Sequence, residues 1–224
     1  IRPRRRHVDV FLARVRDLLG LMAGMHADRA YDASMRIALC QTNCGEDAAA
    51  NEEQVFGLLE EAVTQGVDLV ALPEVWPLQG SAKLLREAAE AIPGPRTDRL
   101  AEFAARHKLW VHGGSVLERD GERVFNTSVL FDRDGAMVAT YRKIHLFDAD
   151  PPGAVPSRES SVFSAGDQVV TAETEFGRVG LSICYDLRFP ELYRGLVAAG
   201  AELLSVPSAF TAVTGAAHWE VLLR

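Results

Sequence analysis

Short apolar runs bounded by turn residues alternate along this chain with stretches of helical periodicity, and that alternation limits the folds open to it. Residues 36–41 (RIALCQ) and 68–72 (DLVAL) read as buried strands. Between them, 46–65 carries Val55, Leu58, Leu59, Ala62 and Val63 at helical spacing, and Gly66 stops that helix. Further helical stretches are expected near 81–91 and 97–107. Three strands follow, at 110–118, 124–131 and 137–141, separated by the turn signals Asp120-Gly121 and Asp134-Gly135. Residues 147–167 are rich in Pro, Gly, Ser and Asp and read as a long loop, a length that in compact domains usually carries function. Strands at 168–172, 178–183 and 202–206, a helix at 189–199 and a short helix from 216 complete the pattern. Strands and helices in alternation, with hairpins in the middle, indicate an α/β layered domain.

At 224 residues the chain can hold one domain with a substantial core but not two comfortable ones. Its longest apolar candidate, 11–25, is broken by Arg14, Arg16 and Asp17, and no run reaches the roughly 18–20 residues of a membrane span, so no membrane partner is expected. A net charge of −7 argues against nucleic acid. The cysteines (Cys40, Cys44, Cys184) are few and odd in number, which disfavours a disulfide framework and points to a reducing, cytoplasmic setting. The first 36 residues nevertheless hold eight Arg against four Asp. The chain opens on Ile1, and Met35 stands just before the first clear strand. Residues 1–34 are therefore set apart as a basic N-terminal extension outside the core, and 35–224 as the domain. Arg-rich leaders exist, but Asp9, Asp17, Asp28 and Asp32 count against one here. Residues 218–224 read as a helix without a C-cap signal, so the domain is expected to be incomplete at its C-terminal end.

Three positions stand out for chemistry. Cys184 follows the apolar strand RVGLSI and precedes a helix, the place where α/β folds expose a reactive group. A helix N-terminus and nearby cations there would favour the thiolate; the alternative is a buried structural thiol. Glu74 follows DLVAL and Pro73, where a carboxylate either caps a turn or acts as a base in an apolar pocket. Lys143 follows the strand 137–141, where it is either solvated or catalytic. Cys40 inside a strand and Cys44 in a loop are expected to be inert.

Taken together, LPE (72–74), YRKIHLFD (141–148) and GLSICYDLRFPELYR (180–194), each after an expected strand and in this order, resemble the nitrilase, or carbon–nitrogen hydrolase, superfamily. The resemblance extends through GGSVLE (113–118), FNTSVLF (125–131), ESSVFSAGD (159–167) and GAAHWEVLLR (215–224). It implies a four-layer α-β-β-α sandwich and a Glu74–Lys143–Cys184 triad that hydrolyses amides through a thioester. Glu74 would be the general base, Lys143 would stabilise the oxyanion with the backbone N–H of Tyr185, and Glu159 would position Lys143 and the substrate. Arg188 matches the position at which carboxylate-binding relatives hold the substrate's acid group. His145 and His218 are read as supporting or packing residues.

No metal or organic cofactor is implied. The wording of these segments looks most like the branch of deaminated-glutathione amidase and ω-amidase. That branch implies a small-molecule amide with a carboxylate as substrate and a homodimer or larger homo-oligomer as the assembly. An N-carbamoyl-amino-acid hydrolase shares the same triad. A catalytically silent scaffold is the reading of another class, against which the intact Glu74, Lys143 and Cys184 count.

Overall fold

The computed structural model describes residues 35–150, 153 and 156–224, together with the backbone of 9–14. The Arg-rich opening and most of the stretch 8–25 lie outside the described residues. Six strands form the larger sheet, in chain order: β1 (Asp9–Arg14), β2 (Arg36–Gln41), β3 (Leu69–Ala71), β4 (Trp110–Asp120), β5 (Arg123–Phe131) and β6 (Met137–Arg142). Strands β2, β3 and β4 run parallel, whereas β4–β5–β6 is an antiparallel meander. Gly121 and Gly135 make its turns at φ of 60° and 79°, backbone that favours glycine. Part of the N-terminal extension enters this sheet, since β1 pairs antiparallel with β2 from Asp9↔Gln41 to Arg14↔Arg36.

Helices α1 (Ala48–Thr64), α2 (Ala82–Glu87) and α3 (Pro95–His107) lie between β2 and β4 in the chain. Asp47 caps α1 by accepting the Ala50 N–H at 3.1 Å. The second helix stops at Glu87, short of the expected 91, because the backbone of Glu90 is taken by β4. Its N–H donates to the Leu117 carbonyl, and its carbonyl accepts from Arg119. Beyond β6, the loop expected at 147–167 holds a two-residue ladder of β7 (Asp148–Ala149) and β8 (Ser157–Arg158) and a 3₁₀ turn, Glu159–Ser161. The smaller sheet contains β9 (Thr171–Thr174), β10 (Gly177–Leu181) and β11 (Leu203–Ser205), with α4 (Pro190–Ala198) between the last two. Thr211 caps α5 (Ala212–Leu223), which starts four residues before the expected 216.

Side-chain alternation assigns the layers. Ala38, Val70, Val111 and Val129 pack with Leu59 of α1 and with Leu100 and Phe103 of α3. Their neighbours Leu69, Trp110 and Leu130 point the other way and meet Ala172 and Phe176 of the smaller sheet. In β10, Gly180 turns toward α4, where an added Cβ would stand 3.2 Å from the Leu196 Cβ. Helices and sheets therefore stack as α-β-β-α. Leu59, Val70 and Leu100 are fully buried, so truncating either leucine to Ala should cost about 2–5 kcal/mol. Among the described residues, no helix is long and apolar enough to cross a membrane.

Candidate active site

Four side chains singled out from the sequence converge where the C-terminal ends of β3, β6 and β10 meet. Glu74 follows β3 after Leu72-Pro73, which lie against Gly114 of β4. A Cβ at Gly114 would come within 2.0 Å of the Pro73 carbonyl oxygen, so only glycine lets the two segments approach. Val75 donates its N–H to Ser115 Oγ (2.9 Å), and Trp76 donates Nε1–H to the Gly113 carbonyl (2.9 Å). These bonds hold Val75 at φ 46°, a costly conformation for a β-branched residue.

Cys184 opens a 3₁₀ turn, Cys184–Arg188, at φ 47°, and its N–H donates to the Pro207 carbonyl at 3.0 Å. The turn is fastened by Asp186, whose fully buried carboxylate accepts the N–H of Ile183 (2.9 Å) and of His145 (3.0 Å) and the Tyr141 hydroxyl (2.7 Å). His145 Nδ1 stands 2.7 Å from the same carboxylate, and its ring stacks on Phe189 with centroids 3.7 Å apart. His145 thus supports the turn, as expected. Strain at two residues flanking one cluster is the pattern of a functional site, where the surrounding structure fixes unfavourable backbone.

Lys143 lies at the centre of the charge network. Its Nζ donates to Glu74 Oε1 (2.9 Å) and to Glu159 Oε1 (3.0 Å) and Oε2 (2.9 Å), while its side chain is only 2% exposed. Glu159 also accepts the Phe147 N–H at 2.5 Å. Glu74 Oε2 accepts the Ala209 N–H at 2.8 Å, and the Cys184 side chain lines the same pocket. Burial pulls the Lys143 ammonium down, but Glu74, Glu159 and Cys184 together hold it above its ordinary value, so it stays charged. Burial, reinforced by Glu74, pushes the Cys184 thiol well up against the opposing pull of Lys143. This corrects the expectation of a ready thiolate. Burial favours the neutral thiol, because desolvation outweighs one cation already shared by two acids. Burial pushes Cys40 up to about 12 and also raises Cys44, consistent with two inert thiols.

Glu74, Lys143, Glu159, Cys184, Phe147 and Arg158 line a pocket of about 430 Å³. Tyr185, the residue after the cysteine, packs its ring against Phe147 (4.9 Å) and Phe189 (5.5 Å). Arg188 does not line this pocket: its guanidinium meets His218 Nδ1 at 2.8 Å and lies over the Tyr185 ring. A four-residue spacing returns near the same face in an α-helix. In the observed 3₁₀ turn, at three residues per turn, it ends about a third of a turn away.

Sequence reasoning did not single out Asn126 or Asp186. Asn126 donates Nδ2–H to Glu74 Oε1 (3.0 Å) and Glu159 Oε1 (3.2 Å). A fully buried asparagine inside the apolar strand FNTSVLF needs partners, and that was the available signal. For Asp186 the signal was an acid three residues after Ile183, where a side chain can cap the turn.

Two face-to-face sheets between helices, with a cysteine, a lysine and two glutamates gathered at strand ends, are the architecture of a nitrilase-type hydrolase. The chain belongs to the carbon–nitrogen hydrolase family, whose family model (Carbon-nitrogen hydrolase) matches residues 36–224. It is 43% identical over 191 residues to the omega-amidase NIT2 of Homo sapiens, a match covering 85% of this chain and 69% of that protein. It is 42% identical to the chloroplastic omega-amidase of Arabidopsis thaliana, with 84% and 52% covered. Among solved structures, Nit3 of Saccharomyces cerevisiae, a nitrilase superfamily member, superposes with a TM-score of 0.74 at 32% identity, covering 84% of this chain and 69% of that one. An amidase mutant from Nesterenkonia sp. AN1, which shows Michael addition of acrylamide at its active-site cysteine, superposes at 0.71 with 26% identity and 84% and 72% coverage.

Proposed function

We propose that this protein hydrolyses the terminal amide of a small carboxylate-bearing substrate, in the manner of an ω-amidase, with Cys184 as nucleophile. The observation that carries the reading is the convergence of Cys184, Glu74 and Glu159 in one pocket around a single buried cation, Lys143, whose Nζ stands 2.9 Å from each acid. A thiol held up by burial needs a base at the moment of attack, and Glu74 faces the same pocket. The Cys184 sulfur bonds to the amide carbon while its proton passes to Glu74. The carbonyl π pair moves to the oxygen, where Lys143 and the Tyr185 N–H stabilise the charge. Collapse re-forms the carbonyl and breaks the C–N bond, with Glu74 returning the proton to the departing nitrogen so that ammonia leaves. Water then attacks the thioester, giving one proton to Glu74. The C–S bond breaks, the carboxylic acid departs, and the proton returns to sulfur. Glu159 keeps Lys143 oriented throughout. Residues 35–224 carry every side chain of this reading, while β1 adds a strand to their sheet; the few free cysteines support a reducing, cytoplasmic setting, and the family resemblance supports a homo-oligomer.

The identities to omega-amidases support an ω-amide over an N-carbamoyl substrate. The test is ammonia release from α-ketoglutaramate and an N-carbamoyl amino acid, and cysteinylglycine release from deaminated glutathione, with and without iodoacetamide pretreatment. Release from the first, abolished by labelling of Cys184, is expected. Ammonia release that survives in Cys184→Ala overturns the assignment.

A further inference from the structure

We infer that Asn126 is a positioning residue of the catalytic centre, a clamp that holds Glu74 and Glu159 together while Lys143 turns a hydrogen to the substrate's oxyanion. The inference rests on the proposed roles of Glu74 and Lys143. It starts from a count of donors. An ammonium has three N–H groups, and Lys143 already makes three contacts, one with Glu74 and two with Glu159. To stabilise an oxyanion it must release one of them, and two buried carboxylates then face each other with less charge between them.

Asn126 is the second donor that bridges both acids, through Nδ2 to Glu74 Oε1 at 3.0 Å and to Glu159 Oε1 at 3.2 Å. Its main-chain carbonyl accepts the Lys143 N–H at 2.9 Å, so one residue fixes the base of the lysine and both partners of its tip. No donor among the described residues reaches Asn126 Oδ1, so the side chain is held by what it donates. Asn126 is fully buried and does not line the pocket, so it acts through its neighbours. The charged groups facing its amide are Glu74 beyond β3, Lys143 beyond β6 and Glu159 of the 3₁₀ turn, with the Cys184 thiol beyond Glu74. Glu118 of the adjacent β4 is engaged with Thr127 and Arg142.

The test compares Asn126→Ala and Asn126→Asp with the wild type on the full chain, with kcat normalised to the folded fraction read by near-ultraviolet circular dichroism. Asn126→Ala should lower kcat by about 10- to 150-fold, the value of lost bonds to a charged group, and change KM by less than about threefold. Asn126→Asp is isosteric, but at neutral pH it sets a third carboxylate against two others. Protonated at lower pH, the new group donates one bond again. Its kcat relative to wild type should therefore rise at least about tenfold from about pH 8 to about pH 5.5, while the Asn126→Ala ratio stays flat. A flat ratio for both variants, or an effect on KM alone, overturns the clamp. Glu74→Gln separates the two ideas. If it is inactive while Asn126→Ala keeps wild-type kcat, the clamp alone falls. If Glu74→Gln is fully active, the base assignment falls and the clamp with it.

Discussion

Glu74→Gln keeps the size of the side chain while removing one charge and one acceptor oxygen, and the structure sets how much each loss matters. Glu74 serves three donors: Lys143 (2.9 Å) and Asn126 (3.0 Å) on Oε1, and Ala209 N (2.8 Å) on Oε2. An amide can accept on one side only, so its NH₂ must confront the donor or donors on the other. Stranding a buried charge usually costs about 3–5 kcal/mol. Here Lys143 keeps both contacts to Glu159, so a loss of about 1–3 kcal/mol is expected, or roughly 2–12 °C in Tm. Turnover should fall further, by about 10²- to 10⁴-fold, because the base is gone. The thiol should respond in the opposite sense. Burial and Glu74 raise it and Lys143 lowers it, so without the carboxylate the thiolate forms at lower pH than in the wild type. Ultraviolet absorbance of the thiolate, measured against Cys184→Ala in the same background, reports this alongside ammonia release. Turnover above about a tenth of wild type, or a thiolate midpoint that stays or rises, would refute the reasoning.

Burial lowers His112 from 6.5 to about 4, so its contribution to stability is present above the ordinary histidine value and is lost as pH falls toward 4. Denaturant melts should show on the order of 3 kcal/mol lost across that window and a shallower slope in His112→Gln; equal slopes would exclude His112 as the cause. Gly114→Ala should shift the Pro73–Glu74 segment, because the new Cβ collides with the Pro73 carbonyl. Activity lost with little loss of secondary structure by circular dichroism is the expected result, and unchanged kcat counts against it. Arg158 lines the pocket and Arg188 does not, so Arg158→Ala should remove the preference for an acidic substrate over its neutral ester while Arg188→Ala leaves it. A lost charged bond is worth about 10- to 150-fold in kcat/KM, and the reverse pattern would restore Arg188 as the carboxylate's partner.

The sequence by itself determined the alternation of layers, because burial imposes a period of two on strands and near 3.6 on helices. Ala38, Val70 and Val111 against Leu59 and Leu100 follow directly from that rule. It also singled out Glu74, Lys143 and Cys184 as candidates, each in a distinctive string after an expected strand, and Glu159 in the long loop between the last two. Other features were local competitions that composition does not rank. Helix α2 stops early because β4 claims Glu90's backbone, and the turn after Cys184 is 3₁₀ because Asp186 caps it from within. From that turn Arg188 meets His218 and does not line the pocket. Only the tertiary structure decided the electrostatics. The protonation of Cys184 and the charge of Lys143 depend on which groups share a desolvated volume, and Glu74 and Cys184 are more than a hundred residues apart in the chain. Asn126 became visible for the same reason. Its amide has meaning only where two glutamates from distant segments meet one lysine.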